Sequence, residues 1–343
     1  MFFNIKLCVT VLSSIGVNPL IHSSIIQKSL YCFSIFILGS SVYLSVLQFV
    51  YEDNSSLDII LPRLESLIIF ADTVSKISTL FFNHKQAAKL ITDTLKFWNI
   101  ENFPFEKERK TCEFILKAAK FIGIWYPGIG LILSFSIFFG PLLSGEYVLP
   151  LSTYVPAYPP YWLLYLVEDY SWFIVMMGIA GFDVLLGTLV LMVTVQWKML
   201  NREVQRILES TAVTDEERCK LKNDVKNCVN HHNFLIDPIG GDFSARIMLL
   251  IEYTNEFLLF YVVPGQLMTN EAEQTEDFAY SSNWYEHSVD IKEPFIKMVT
   301  YISRRPVTLH AGNLIDFNFR CAQAVYKTTF SYYMFLNAIT EAT

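Results

Sequence analysis

What this sequence lacks most is charge. Only 17% of its 343 residues are Asp, Glu, Lys or Arg, while 52% are hydrophobic, and the mean hydropathy is +0.35. A soluble domain carries about 25% charged residues, so the composition makes a lipid bilayer the expected solvent. Lys and Arg are also unevenly placed: 146–171 has none and 52–63 has only Arg63. With a pI near 5.4 and no basic face, nucleic acid is excluded as a partner. The six cysteines (Cys8, Cys32, Cys112, Cys219, Cys228, Cys321) avoid both of those stretches and form no CxxC or Cys/His spacing. That excludes an outer disulfide and a zinc site, and no metal is expected. HExxH, GxSxG, Walker A and GxGxxG patterns are missing too, so the sequence reads as no enzyme and implies no cofactor. No internal repeat or flexible linker divides it, and the economical reading is one integral membrane domain over 1–343.

What is present is a series of apolar runs of membrane length, about 20 residues. Two are free of charge, Leu30 to Tyr51 and Phe121 to Gly145. Trp172 to Trp197 carries only Asp183, whereas Leu64 to Phe82 carries Glu65, Asp72 and Lys76, and Ile247 to Met268 carries Glu252 and Glu256. Charges inside such runs must face protein or water; Asp72 and Lys76, four apart, are expected to neutralise each other. The last candidate, Asn313 to Ile339, is the most polar. Ahead of them, "MFFNIKLCVTVLSSIGVNPL" has no basic region before its apolar run and reads as an amphipathic helix ending at Gly16 and Pro19 rather than as a signal peptide.

Basic residues orient these runs. The stretch 83–120 holds eight, 198–246 another eight, and 269–312 four. The positive-inside bias places those stretches and the amino terminus in the cytosol, with the two Lys- and Arg-poor loops outside. The "NSS" sequon at Asn54 falls on the outer side, and the aromatic loop from Tyr154 to Trp172 suits a membrane interface. His231 and His232 read as solvated loop residues, since neighbours on a helix diverge by about 100 degrees and make a poor metal pair. One inconsistency remains. Between the second and third basic stretches an even number of crossings is needed, and one is visible.

The final run has its own pattern. On a helical wheel centred on Ser331, the residues Asn313, Arg320, Ala324, Lys327, Thr328 and Ala338 fall within about 60 degrees, and Asp316 sits at the edge, four residues before Arg320. A polar and small stripe on an oily helix suits either a helix contact or a water-filled path lined by several copies.

The carboxy-terminal third resembles a known family. In "YVVPGQLMTNEAEQTEDFAYSSNWYE", Gly265, Thr269, Glu271, Glu273, Ala279, Tyr280 and Trp284 stand where the insect odorant receptors have their pattern. In "RPVTLHAGNLIDFNFRCAQAVYKTTFSYYMFLNAI", Pro306, Leu309, Ala311, Gly312, Phe319, Lys327, Ser331, Tyr332, Phe335 and Leu336 match its closing signature. The front two thirds are similar more loosely, through helix order, "SSIGVNP" and the paired histidines. The resemblance implies an all-α, polytopic membrane helical bundle, with six visible spans of an expected seven, a cytosolic amino terminus and an extracellular carboxy terminus. The unseen crossing is the fifth. It would lie between helices one to four (1–246) and the sixth and last helices (247–343).

The function implied is an odorant receptor in the plasma membrane of olfactory neuron dendrites, tuning a non-selective cation channel. Its partners would be the odorant co-receptor in a hetero-tetramer, a small volatile ligand, cations and the lipid bilayer. The family's pore is lined by its last helix, which singles out Arg320, Ala324, Lys327, Thr328, Ser331 and Ala338. Its ligand pocket lies in the outer half of the helices, where this chain offers Ile68, Ile69 and Phe70; Phe135, Phe138 and Phe139; and Trp172, Phe173, Met176 and Met177. Aromatic and Met side chains suit a volatile apolar ligand, although packing alone uses the same residues. A gustatory-type receptor channel and a non-functional truncated isoform are the near alternatives. A G-protein-coupled receptor would need an outward amino terminus, and a secondary transporter would need internal repeats.

Overall fold

The computed structural model describes residues 3–20, 24–51, 57–144, 149, 153–156, 158–236, 257–285, 289–303, 307–311 and 315–342. Among the described residues the chain is mainly helical, with two short strands. In order these are α1 (Phe3–Ser14), α2 (Ile25–Tyr51), α3 (Leu57–Phe82), α4 (His84–Asp93), α5 (Glu106–Ser144), α6 (Tyr161–Glu209) and α7 (Asp215–Ile236). A π-helical turn, Phe257–Val262, then leads into α8 (Val263–Tyr280), followed by α9 (Val289–Ser303), β1 (His310–Ala311), β2 (Ile315–Asp316) and α10 (Phe319–Ala342). The strands pair antiparallel, His310 opposite Asp316. Among the described residues, three helical stretches are long and apolar enough to cross a membrane: Ile25–Tyr51, Glu106–Gly140 and Tyr161–Glu209.

Local chemistry explains where the helices stop. After α1 the amide of Val17 bonds the carbonyl of Leu12 at 3.0 Å, and that of Gly16 bonds Ser13 at 3.2 Å. This is the pairing of a Schellman end, whose C′ residue is left-handed. Gly16 has φ +86°, and a Cβ there would fall 2.2 Å from the amide nitrogen of Tyr31. Ending α1 at Gly16 is therefore as the sequence suggests. At the start of α7, Thr214 Oγ1 accepts from the Glu217 amide at 3.2 Å, and the Glu217 carboxylate accepts from the Thr214 amide at 2.9 Å, closing a capping box. The same hydrogen bonds, with one from Val213, hold the Glu217 carboxyl below its usual range.

Several sequence expectations are corrected by helix length. The third apolar run belongs to α5, which begins fifteen residues earlier at Glu106, and the fourth to α6, which runs from Tyr161 to Glu209. The second half of the aromatic loop is thus helix. Charged residues ended the apolar runs but not the helices, because a helix leaving the bilayer continues while its backbone bonds stay internal. "GQLMTNEAEQTEDFAY" is likewise helix, inside α8. The final helix starts later than expected, at Phe319, where Asn318 Oδ1 accepts from the Cys321 amide at 2.8 Å as an N-cap. Asp316 consequently sits in β2, off the helical register that would set it one turn from Arg320. The expected fifth crossing, the sequon at Asn54 and the wheel position Asn313 lie outside the described residues.

The chain divides into two compact units, residues 1–92 with 118–188 and 250–252, and residues 93–117 with 189–249 and 253–343. The first is cored by Leu12, Ile15, Leu38, Phe70, Ile77 and Ile174. In the second, Ile100, Phe103, Cys112, Val195 and Met199 cluster against Trp98, Phe105 and Ile115.

Candidate functional site

In the first unit the candidate ligand residues lie on three helices. On α3, Phe70 is buried, Ile69 is half-buried and Ile68 is exposed. On α5, Phe138 is half-buried while Phe135 and Phe139 are 63% and 46% exposed, so this part of α5 turns two of its three phenylalanines outward. On α6, Met177 is buried, and Trp172, Phe173 and Met176 are half-buried. Two of these reach a neighbouring helix. Phe138 packs edge-on to Tyr165 at 5.7 Å, in a cluster with Leu44, Leu149 and Leu164. Met176 approaches α5 at Gly130, where an added Cβ would lie 3.5 Å from its sulfur.

Three described residues ahead of α6, Leu149, Thr153 and Tyr154, pack against the helices. Leu149 is 1% exposed, Tyr154 stacks on Tyr51 at 5.3 Å, and Thr153 donates to the carboxylate of fully buried Glu168. The Tyr165 hydroxyl donates to the Phe138 carbonyl. Sequence reasoning does not single out Glu168 or Thr153, and takes Tyr165 only as one of the loop's interface aromatics; the signal available is the acidic pair Glu168 and Asp169 within an apolar run.

A charged cluster lies on the same helices. Lys76 Nζ stands 2.9 Å and 3.0 Å from the two carboxylate oxygens of Asp183, and 3.1 Å from Asp72 Oδ2. The expected Asp72–Lys76 pair is present, and Asp183 completes it from α6. Lys76 also lies 5.9 Å from the centre of the Phe182 ring. Buried ions persist only when paired in this manner.

The second unit gives structural roles to three of the residues that carried the family resemblance, Gly265, Thr269 and Glu271. Gly265 on α8 lets the chain before α10 come close: a Cβ there would meet the Phe317 carbonyl oxygen at 2.7 Å. Thr269 donates to the Val307 carbonyl at 3.4 Å, and the Gln266 side chain accepts from the Phe319 amide at 3.1 Å. Glu271 pairs with Lys198 of α6 at 2.9 Å, while Asn201 bonds the Glu271 carbonyl at 2.7 Å and Thr275 at 2.6 Å. These residues tie α6, α8 and the start of α10 to one another.

On α10, the candidate pore residues Arg320, Ala324, Lys327, Thr328 and Ser331 are all exposed; Ala338 is within the helix, but its side chain is not among those described. Thr328 returns its hydroxyl to the Ala324 carbonyl at 2.9 Å. Apolar residues elsewhere on this helix are exposed as well, Phe330 at 63%, Met334 at 53% and Phe335 at 62%, while Ala322 near its start is buried.

The paired histidines are not solvated loop residues. Both are buried on α7, His231 stacked on Trp98 at 3.9 Å and 13°, and His232 edge-on to Trp197 at 5.2 Å. Their 100-degree divergence, which disfavours a shared metal, is what lets one helix turn meet two different indoles. Burial pulls both down from 6.5 to about 4, so they are neutral at pH 7. Among the described residues no group of three or more His, Cys, Asp or Glu could hold a metal ion.

Comparisons with known proteins agree with this architecture. The profile of the 7tm odorant receptor family matches residues 57–254. The match leaves out the carboxy-terminal motifs that suggested the same family. No curated protein matches the chain. Among solved structures, the olfactory receptor OR5 from Machilis hrabei in complex with eugenol aligns over 98% of this chain and 97% of that one, with a TM-score of 0.74 at 11% identity. The OR5 structure described without that ligand aligns over 97% of each chain, with a TM-score of 0.66 at 12% identity. The fold is that of a multi-helical membrane receptor. The chain belongs to the insect odorant receptor family, a family of ligand-sensing olfactory receptors and channels rather than enzymes.

Proposed function

We propose that the chain is the ligand-tuning subunit of an odour-gated, non-selective cation channel in the plasma membrane of olfactory neuron dendrites. It assembles with the family co-receptor into a hetero-tetramer, with its amino terminus cytosolic and its carboxy terminus outside. A small volatile hydrophobic molecule binds among α3, α5 and α6 near Phe70, Phe138, Met176 and Met177, and shifts the population toward an open arrangement of α10. Thr153 and Tyr154, ahead of α6, lie at the outer ends of those helices.

The observation that carries this reading is the exposure of α10. Its polar stripe of Thr328 and Ser331 and its apolar sides of Phe330 and Phe335 are all uncovered in a single chain. A helix of that composition is stable when its apolar sides meet lipid or other subunits and its stripe meets water. The structure of OR5 with eugenol supports a small aromatic odorant as the ligand class.

Co-expression with the co-receptor, recording odour-evoked cation current from wild type, Met177→Trp and Ser331→Cys, tests both parts. Met177→Trp should lower odorant sensitivity at least tenfold, and Ser331→Cys should make the current sensitive to an aqueous thiol reagent. A chain reaching the membrane with the co-receptor but giving no current, or a Ser331→Cys channel indifferent to the reagent, would refute the pore assignment.

A further inference from the structure

The second unit holds a cavity of about 680 Å³ that the odorant reading does not use. It lies between the turns after α4, the end of α6, and one face of α7. Its volume is within the roughly 300–1,000 Å³ range of small-molecule sites.

The chemistry of its walls is divided. Part of the lining is aromatic and soft: Trp98 stacked on His231, together with Phe103, Phe234, Met199 and Cys228. Another part is carboxamide, from Asn99, Asn227 and Asn230. Two cations line the cavity, and both are engaged. Lys96 pairs with Asp93 at 2.7 Å and lies 5.7 Å from the centre of the Phe234 ring, while Arg206 is held by Glu203 at 2.5 Å and Asp224 at 2.7 Å. Each cation thus has its own carboxylate counter-charge, and the walls offer a phosphate or carboxylate no net positive charge. His231 adds no charge, because burial keeps it neutral; its Nε2 is buried without a partner among the described residues.

We propose that this cavity is a binding site for a flat, uncharged aromatic heterocycle, which extends the Trp98–His231 stack and hydrogen-bonds the carboxamides of Asn227 and Asn230. Stacking on an aromatic wall favours a ring of this kind, and walls without net positive charge do not favour an anion. The site is distinct from the odorant pocket and from the pore, and its test measures no current.

The probe is 3-azidoquinoline, photolysed with the full-length chain in detergent, and the adducts are mapped by mass spectrometry. Adducts are expected on 96–104 and 224–234. Quinoline should compete them away, quinoline-2-carboxylate should be at least tenfold weaker as a competitor, and Asn227→Trp, at an exposed position that the indole would use to fill the cavity, should cut labelling at least fivefold. Adducts confined to α3 and the first part of α6, or equal competition by the carboxylate, would overturn the proposal. So would undiminished labelling in Asn227→Trp. Asn230→Trp repeats the test from a second exposed position should the first variant fold poorly.

Discussion

Replacing Lys76 with Met should unsettle the first unit more than any other single change in its charged cluster. The lysine stands between two carboxylates, 2.9 Å from Asp183 and 3.1 Å from Asp72, and both it and Asp183 are buried, at 6% and 0% exposure. At about 3 Å and an effective dielectric near 20, each contact has a Coulomb energy on the order of 5 kcal/mol. Desolvation of the ions cancels much of that gain, so the cluster as a whole adds little stability. Removing the cation alone keeps the desolvation cost of two carboxylates and loses their partner, which costs about 3–5 kcal/mol. The triple replacement Asp72→Leu, Lys76→Met, Asp183→Leu removes both sides of the account and should be neutral or stabilising by about 1–4 kcal/mol. Thermal stability of the detergent-solubilised chain, followed by size-exclusion fluorescence, separates the two. Lys76→Met should melt on the order of 10 °C below wild type, and the triple variant at or above it. A single variant melting with wild type, or a triple variant as unstable as the single, would refute the reasoning.

Other expectations follow from the same geometry. Because His231 and His232 are lowered from 6.5 to about 4, the unfolded chain takes up protons first as pH falls. Stability should be full above pH 6.5 and drain away between 6.5 and 4, by roughly 3 kcal/mol per histidine; melting curves at stepped pH should show this slope, and Gln at both positions should flatten it. Gly16→Ala should destabilise the chain by about 2 kcal/mol or more, since it forces a left-handed alanine against the Tyr31 backbone; a melt unchanged from wild type would contradict the Schellman end. Gln196 accepts from the Trp98 amide at 2.8 Å and donates to its carbonyl at 3.2 Å. Gln196→Leu strands both groups and should cost about 2–4 kcal/mol, seen as faster proteolysis within 94–105.

What the sequence made legible depended on whether the signal was local. The membrane class, the end of α1 at Gly16 and the Asp72–Lys76 pair are written in composition or in residues four apart or fewer. The true lengths of α5 and α6 were hidden, because the apolar runs end at Lys120 and Lys198 while backbone hydrogen bonding continues. The burial of His231 and His232 was invisible for another reason. It depends on Trp98 and Trp197, which are distant in sequence and brought beside α7 only by folding.

By itself, then, the sequence determined that the chain dwells in lipid as a set of helices, and its motifs pointed to the odorant receptors, since hydrophobic periodicity and helix-end chemistry act within a few residues. Only the tertiary structure decided which polar groups meet: Asp183 with Lys76, Glu168 with Thr153, Glu271 with Lys198 and Asn201. Those pairings span 15 to 107 positions along the chain. Partners so far apart in sequence are selected by the cost of leaving any of them buried and unpaired, which no short stretch of residues records.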